Sequence, residues 1–513
     1  MRDWTAGYVA DITYTYGYYT ELSPLRVNLA FLNAGLVPPR AGAACELGFG
    51  QGMSINMHAA AGTQPWCGTD FNPAHAGFAQ ELADVSGAPA RVYDEAFADF
   101  ARRTDLPEFD YIGLHGIWSW ISDANRAVIV DFVARKLKVG GVLYISYNTL
   151  PGWATFAPVR HLLTLHADTL GAEGSGIVSR MDGALDFANK LLDSAPAFVR
   201  NHPQVVERLQ GLGKQDRHYL AHEYFNRDWL PMHFATMAQW LSPAKLEFAC
   251  SAHYLDHVDA IDLTEPQQDF VNGIGDVVLR ETARDFMVNR QFRKDYWVRG
   301  ARTLDMVEQG ERLRAQKVLL TVPRSEVSLK ISGAQEDVEM IDGIYRPILD
   351  LLADHQPRTL ADIETAVAPQ GISFAKVRQA VMILGGSGQL LSVQDDAAIT
   401  AAQPQTQKLN SWLMRKARGS DDISYLASPV TGGGVALGRI HVLFLLARLE
   451  GNKKPADWAR FVWGVLEARN QAIVKNGQSL HNADDSIAEL TLRANAFNET
   501  RLPILKALQI LSK

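Results

Sequence analysis

Residues 46–52 read Glu46-Leu47-Gly48-Phe49-Gly50-Gln51-Gly52 and stand between a short apolar run and a helical segment that begins near Ile55. Glycines at such a junction let the backbone turn sharply and let a ligand lie against main-chain N–H groups. Alone, a glycine triplet fits a structural turn or any nucleotide fold equally well. Three neighbours narrow the choice. Glu46 stands two positions before the first glycine, where a carboxylate would repel a pyrophosphate but could pair with a cationic amino group. Asp70 follows 24 positions later, at the end of the next strand-like run, where a ribose-binding acid belongs. No lysine follows the glycines, as a phosphate-gripping P-loop requires. The ligand that fits is a nucleoside with a positive, amino-acid-like tail.

S-adenosylmethionine meets that description. Further strand ends supply the remaining candidates. Asp94, with Glu95 beside it, could accept the exocyclic amine of adenine; an ordinary surface carboxylate is the competing reading. His115-Gly116-Ile117-Trp118-Ser119-Trp120 places a histidine and two tryptophans just past a strand, in the crevice where open α/β sheets bind ligands. Either tryptophan could instead pack the following helix. Tyr147-Asn148 ends another strand and presents the same choice. Near the start, Tyr14-Thr15-Tyr16-Gly17-Tyr18-Tyr19 reads either as an aromatic cap over the ligand or as an amphipathic β edge. Aromatic faces attract cations and exclude water. His222-Glu223 is not a zinc motif, because position 226 is Asn rather than His, and no metal-ligand set is expected.

The elements that must position these residues alternate. Helical spacing at 25–35 precedes short apolar strands at 43–47, 66–69, 90–93, 111–114 and 142–147, with helices at 55–61, 74–85 and 124–137 between them. Strands alternating with helices on short connections predict a parallel sheet covered on both faces. After Pro151 the texture becomes helical, with two strands, at 246–254 and 295–299, expected to return to the first sheet. Residues 312–331 read as β-rich, and 360–393 as two helices and a strand with a winged-helix-like texture. That stretch carries only Lys376 and Arg378 as cations, too few for a DNA surface. The Ala/Gln stretch 395–407 reads as a linker, and the remainder is helical with a glycine break at Gly432-Gly433-Gly434.

Composition bounds the rest. In 513 residues, 50 Lys and Arg face 57 Asp and Glu, a net charge of −7 that makes nucleic acid the less favoured partner. Cys45, Cys67 and Cys250 are too few and too scattered for a disulfide framework. No run of about 18 apolar residues occurs, so no membrane span is expected. The reading is a cytoplasmic, multidomain, soluble protein.

Residues 46–52, Asp70 and the strand order resemble class I S-adenosylmethionine-dependent methyltransferases over roughly residues 1–150. His115 to Trp120, then Ser146-Tyr147-Asn148-Thr149-Leu150-Pro151-Gly152-Trp153, then His222-Glu223-Tyr224-Phe225-Asn226 with Trp229 and Pro231, resemble the bacterial methyltransferases that carry a methyltransferase regulatory domain. That group is similar to the rickettsial protein lysine methyltransferases that modify outer-membrane proteins. The resemblance implies an α/β, Rossmann-like doubly wound sheet with added mostly helical domains and a winged-helix-like module. It divides the chain into a cofactor-binding core (1–165), a helical insert or regulatory domain with strands returning to the sheet (166–305), a winged-helix-like middle domain (306–395) and a helical C-terminal domain (396–513). It makes Glu46, Gly48, Gly50, Gly52, Asp70, Asp94, Glu95 and His115 cofactor contacts, and His115, Trp118, Tyr18 and Tyr147 the transfer-site residues, with Tyr16 and Tyr19 in the same aromatic cage and His115 as a candidate proton acceptor. The leading function is protein lysine N-methylation, with the lysine side chain of a protein as partner and a homodimer as the state the resemblance allows. Two alternatives stay open: methylation of a small molecule, sugar or lipid precursor, and a non-catalytic S-adenosylmethionine sensor or scaffold.

Overall fold

The computed structural model describes residues 5, 7–9, 15–172, 174–334, 336–480 and 482–511. Tyr14 of the tyrosine run lies outside them. Seven strands form the central sheet: β1 (Ala44–Leu47), β2 (Trp66–Asp70), β3 (Ala90–Asp94), β4 (Phe109–Leu114), β5 (Leu137–Asn148), β6 (Leu246–Ser251) and β7 (Phe292–Arg299). Their spatial order is β3-β2-β1-β4-β5-β7-β6. β1 to β5 run parallel, while β7 pairs antiparallel with both β5 and β6.

Alternation along the strands sends side chains to two apolar layers. Trp66, Tyr111 and Tyr144 meet α1 (Pro24–Asn33), α2 (Met53–Ala61) and α3 (Pro73–Ser86) on one face. Cys45, Cys67, Ile112 and Leu143 meet α4 (Phe97–Arg102) and α5 (Asp123–Lys136) on the other. The two core cysteines are thus packing residues in an apolar layer.

Every residue of α2 is buried. A helix buried all round must be covered on its outer side too, and the C-terminal part of the chain does this. Helix Asp396–Lys416 lies against α2 and α3, and Met53, Met57 and Leu82 share a core with Leu409, Leu413 and Leu426. The linker expected at 395–407 is therefore a helix. Ala402, Thr406, Leu409 and Leu413 fall on one buried stripe at helical spacing, and Ala and Gln are good helix formers whose polar appearance reflected only the solvent side.

Three further departures from expectation have similar causes. β5 begins at Leu137, earlier than expected, because Gly140 and Gly141 are carried within the strand. Residues 306–314 form a helix, so the β-rich stretch reduces to Lys317–Leu320 and Lys330–Ser332. α4 is a six-residue helix too short to show a period. The middle domain pairs Lys317–Leu320 with Arg358–Thr359 and Leu390–Ser392 in an antiparallel sheet, packed by helices Leu360–Val367 and Phe374–Gly386. Among the described residues no helix is long and apolar enough to cross a membrane.

Candidate active site

β1 is the central strand of the parallel half, and its chain leaves the sheet through the glycine loop. Gly48, Gly50 and Gly52 all take left-handed backbone angles, with φ of 73°, 57° and 71°. At Gly48 a Cβ would stand 2.4 Å from the Ile117 side chain, and at Gly52 2.4 Å from Ala79 Cβ. Both positions need glycine for conformation and for space. The Gly50 N–H donates to Asp70 Oδ2 at 2.9 Å, and the Asn72 N–H donates to Oδ1 at 3.0 Å. The loop and the end of β2 are thereby locked together beside an open cleft whose empty volume is about 1210 Å³.

Glu46 is 2% exposed beneath this loop, and its Oε2 has no hydrogen-bond partner among the described residues. Burial, reinforced by the Asp70 charge, pushes its carboxyl well above the ordinary carboxylate range. Across the cleft His75 is buried 3.4 Å from Asp70, and neither ring nitrogen makes a hydrogen bond. Buried polar atoms left without partners carry a free-energy cost that a bound ligand relieves. Glu95 lines the same wall, one oxygen held by Arg103 at 2.6 Å and the other unpartnered. Asp94, the first choice for this wall, is exposed and does not line the cleft. It is the last residue of β3, whereas Glu95 lies just past the strand end, in the loop that lines the cleft.

The end of β4 supplies the opposite wall. His115 stacks on Tyr19 with ring centroids 3.5 Å apart, and its Nδ1 lies 2.7 Å from Tyr144 Oη. Burial chiefly, assisted by Lys294 against the opposing charge of Glu21, lowers its pKa to about 3. A base that weak is neutral at physiological pH, and the structure places His115 as a wall residue stacked on Tyr19.

The other transfer-site expectations divide. Trp118 is fully buried, donates from Nε1 to Met232 Sδ at 3.4 Å and meets Trp240 edge-on; it packs the core and does not line the cleft. Trp120, two residues on, does line it and donates to the Glu223 carbonyl at 3.2 Å. Tyr147 is also fully buried, its hydroxyl donating to Asp295 Oδ2 at 2.7 Å. That carboxylate belongs to a buried cluster in which Arg293 also pairs with Glu281 and Asp285. Tyr18 points away from the cleft onto His58 and Tyr425, and Tyr16 packs edge-on against Phe78. Of the aromatic cage expected from Tyr16, Tyr18, Tyr19, Trp118 and Tyr147, only Tyr19 lines the cleft.

Sequence reasoning did not single out Tyr8, His75, Asn125 and Asp228, all of which line the cleft. Tyr8 lies edge-on to Phe71 at 5.7 Å and 5.4 Å from the His222 ring. Asp228 sits in an irregular loop with no periodic signal, held there by the Leu230 N–H donating to the Ser119 carbonyl at 2.8 Å. Asp70, Glu95 and Asp228 give the lining three carboxylates, and among the described residues no lysine or arginine lines it. Nor do three His, Cys, Asp or Glu side chains converge as a metal-holding group among those residues.

Residues 216–299 match the family model of the predicted methyltransferase regulatory domain. Over 512 residues, 99% of each chain, the sequence is 38% identical to Uncharacterized protein sll1526 of Synechocystis. It is 27% identical over 191 residues to Uncharacterized protein RP789 of Rickettsia prowazekii, covering 36% of this chain and 33% of that one. The fold is shared with PKMT2 from Rickettsia typhi in complex with AdoHcy, with a TM-score of 0.70 over 96% of this chain and 99% of that chain, at 17% identity.

Proposed function

The chain belongs to the family of Uncharacterized protein sll1526 of Synechocystis, and from its regulatory-domain match and its fold we propose that it is a class I methyltransferase that methylates lysine side chains of a protein with S-adenosylmethionine. The fold neighbour was solved with AdoHcy, the product that S-adenosylmethionine leaves. The unpartnered Glu46, His75 and Glu95 atoms and the glycine cradle fit such a nucleoside. Gly48, Gly50 and Glu46 would hold its amino-acid end, Asp70 the ribose and Glu95 the adenine edge. When bound, that cofactor supplies an electrophilic methyl group on a sulfonium.

The remaining work is positional. A lysine must lose its proton, enter a dry channel and point its lone pair at the methyl group. Tyr8, Tyr19 and Trp120 would wall that channel, and desolvation between their rings lowers the ammonium pKa. His115, neutral and fixed by Tyr144, would orient the amine rather than store its proton. The proton would leave to solvent past Asp228 at the mouth.

The observation that carries the acceptor class is the makeup of the lining beyond the cofactor contacts: the rings of Tyr8, Tyr19 and Trp120, with Asp228, itself paired with Arg227, and no lysine or arginine among the described lining residues. Aromatic faces suit an amine, and nothing in that lining would pair with a phosphate or carboxylate substrate. The resemblance of residues 115–120 and 146–153 to bacterial methyltransferases that carry a regulatory domain, a group similar to the rickettsial lysine methyltransferases, supports the same reading. The test is transfer from methyl-labelled S-adenosylmethionine in a lysate of the source cell, separated into protein and small-molecule fractions. Label mapped to lysine in a protein band is expected. Label confined to small molecules would overturn the acceptor class, and binding without transfer would point to a sensor.

A further inference from the structure

The glycine break at 432–434 has no part in the function so far, yet it lies directly behind the cleft. It forms the turn and second strand of a hairpin in the C-terminal domain, Tyr425–Ser428 paired with Gly433–Ala436. Tyr18 is seated in this hairpin. A Cβ on Gly433 would come 2.1 Å from the Tyr18 hydroxyl oxygen, and one on Gly434 would come 2.9 Å from its ring. The glycines are thus shaped to the tyrosine. The chain at 18–19 is extended, so consecutive side chains point in opposite directions. Tyr18 enters the C-terminal hairpin while Tyr19 enters the cleft and stacks on His115.

His58 of α2 sits between the two. Its Nδ1 faces the Gly432 carbonyl and its Nε2 the Tyr19 carbonyl, each at 3.4 Å, while its ring stacks on Trp66. Burial keeps this imidazole neutral, its pKa lowered to about 4. A neutral imidazole carries one N–H, so each tautomer donates to only one of the two carbonyls, and the choice couples the hairpin to Tyr19. The Tyr19 N–H is pinned from the same helix by Ser54 Oγ at 2.9 Å.

We propose that the glycine hairpin of the C-terminal domain is a working part of the cofactor cleft: through Tyr18 and His58 it positions Tyr19 over the bound nucleoside. Tyr18 and His58 are positioning residues, and the inference rests on the functional reading above. The C-terminal domain then bears on cofactor affinity without touching the cofactor.

The test is AdoHcy affinity of the full chain, measured by calorimetry beside the melting temperature. Gly433 does not have a positive φ, so Gly433→Ala meets chiefly the Tyr18 hydroxyl, with Tyr18 Cζ at 3.2 Å and His58 Cε1 at 3.3 Å in tight contact beyond it. It should weaken AdoHcy about tenfold, as expected for losing a positioned contact. Tyr18→Phe removes that hydroxyl, leaving the nearest ring carbon at 3.2 Å. The double variant should therefore return to within about threefold of Tyr18→Phe alone. Leu490→Ala opens a cavity elsewhere in the same domain and should lower the melting temperature without moving affinity. Should Gly433→Ala not fold, His58→Gln, whose amide can reach the Tyr19 carbonyl, should bind more tightly than His58→Leu. A folded Gly433→Ala with wild-type affinity, no recovery in the double variant, or an equal loss in Leu490→Ala would overturn the proposal, as would equal affinities of the two His58 variants. A wild-type protein that does not bind AdoHcy overturns the functional reading first, and this inference with it.

Discussion

The two ends of the cleft are built by different means. The cofactor end is made of backbone: one glycine loop, the ends of β1, β2 and β3, and a carboxylate that receives a main-chain N–H. The end proposed to take the acceptor is made of side chains from separate stretches, around Tyr8, Tyr19, Trp120 and Asp228. A backbone-built site leaves a local trace, because glycine spacing is itself the geometry. A site assembled from separated side chains leaves none until the chain has folded.

The largest effect expected at the backbone end is Gly50→Val. A β-branched residue is strained at φ 57°, and the Gly50 N–H holds Asp70. AdoHcy affinity should fall by more than about a thousandfold; retained binding would mean that the loop is not the site. At the side-chain end the two tryptophans separate by role. Trp118→Ala should lose about 3–5 kcal/mol of stability in chemical denaturation, as expected for emptying a fully buried indole. Trp120→Ala should cost roughly half of that or less and instead slow transfer. A reversed result would show that the tandem is assigned the wrong way round. Next come the acids at the ends of β2 and β3. Asp70→Ala should weaken AdoHcy by roughly 10–100-fold. Asp94→Ala, exposed at the end of β3 and absent from the cleft lining, should stay within about twofold, and equal losses would return Asp94 to the cleft.

A pH series sharpens the contrast further. Glu223 lies behind Trp120, and burial, against Asn148, Arg208 and Arg160, pushes its carboxyl up to about 7 from an ordinary 4.5. With the folded value raised, the stability it contributes is present below pH 4.5 and is lost as pH rises through 7. Glu223→Gln mimics the protonated form. It should match the wild type at pH 4.5 and gain progressively to pH 7, levelling at roughly 2 kcal/mol after allowance for partial exposure. A gain independent of pH would place the effect in packing instead.

This division explains what could be read in advance. The parallel strands β1 to β5, the loop, Asp70 and the returning strands β6 and β7 were legible because each is a local run with its own period or punctuation. Tyr18 and Tyr19 were not separable, since adjacent extended residues face opposite sides and the sequence does not say which side is the cleft. The wall acid moved from Asp94 to Glu95 because Glu95 lies past the strand end, where no period says which residue faces the ligand. Tyr147 and Trp118 were misplaced for another reason. Their partners, Asp295 and Met232, stand far along the chain, and burial created by such partners has no local signature. The helix at 396–416 was hidden because its buried stripe is mostly Ala and Thr until Leu409.

The arrangement of β7 has a consequence for synthesis. β5 ends at Asn148, but the strand that covers its free edge is Phe292–Arg299, about 140 residues downstream. At roughly 5–20 residues per second on the ribosome, the nascent β5 edge stays open for about 7–30 s while the helical segments emerge. An unpaired edge rich in Val, Leu, Ile and Tyr is a template for pairing between chains. The regulatory segment therefore cannot be removed as a module, because a chain ending before it would keep that edge for good. A nascent chain paused there is the species a chaperone would have to shelter.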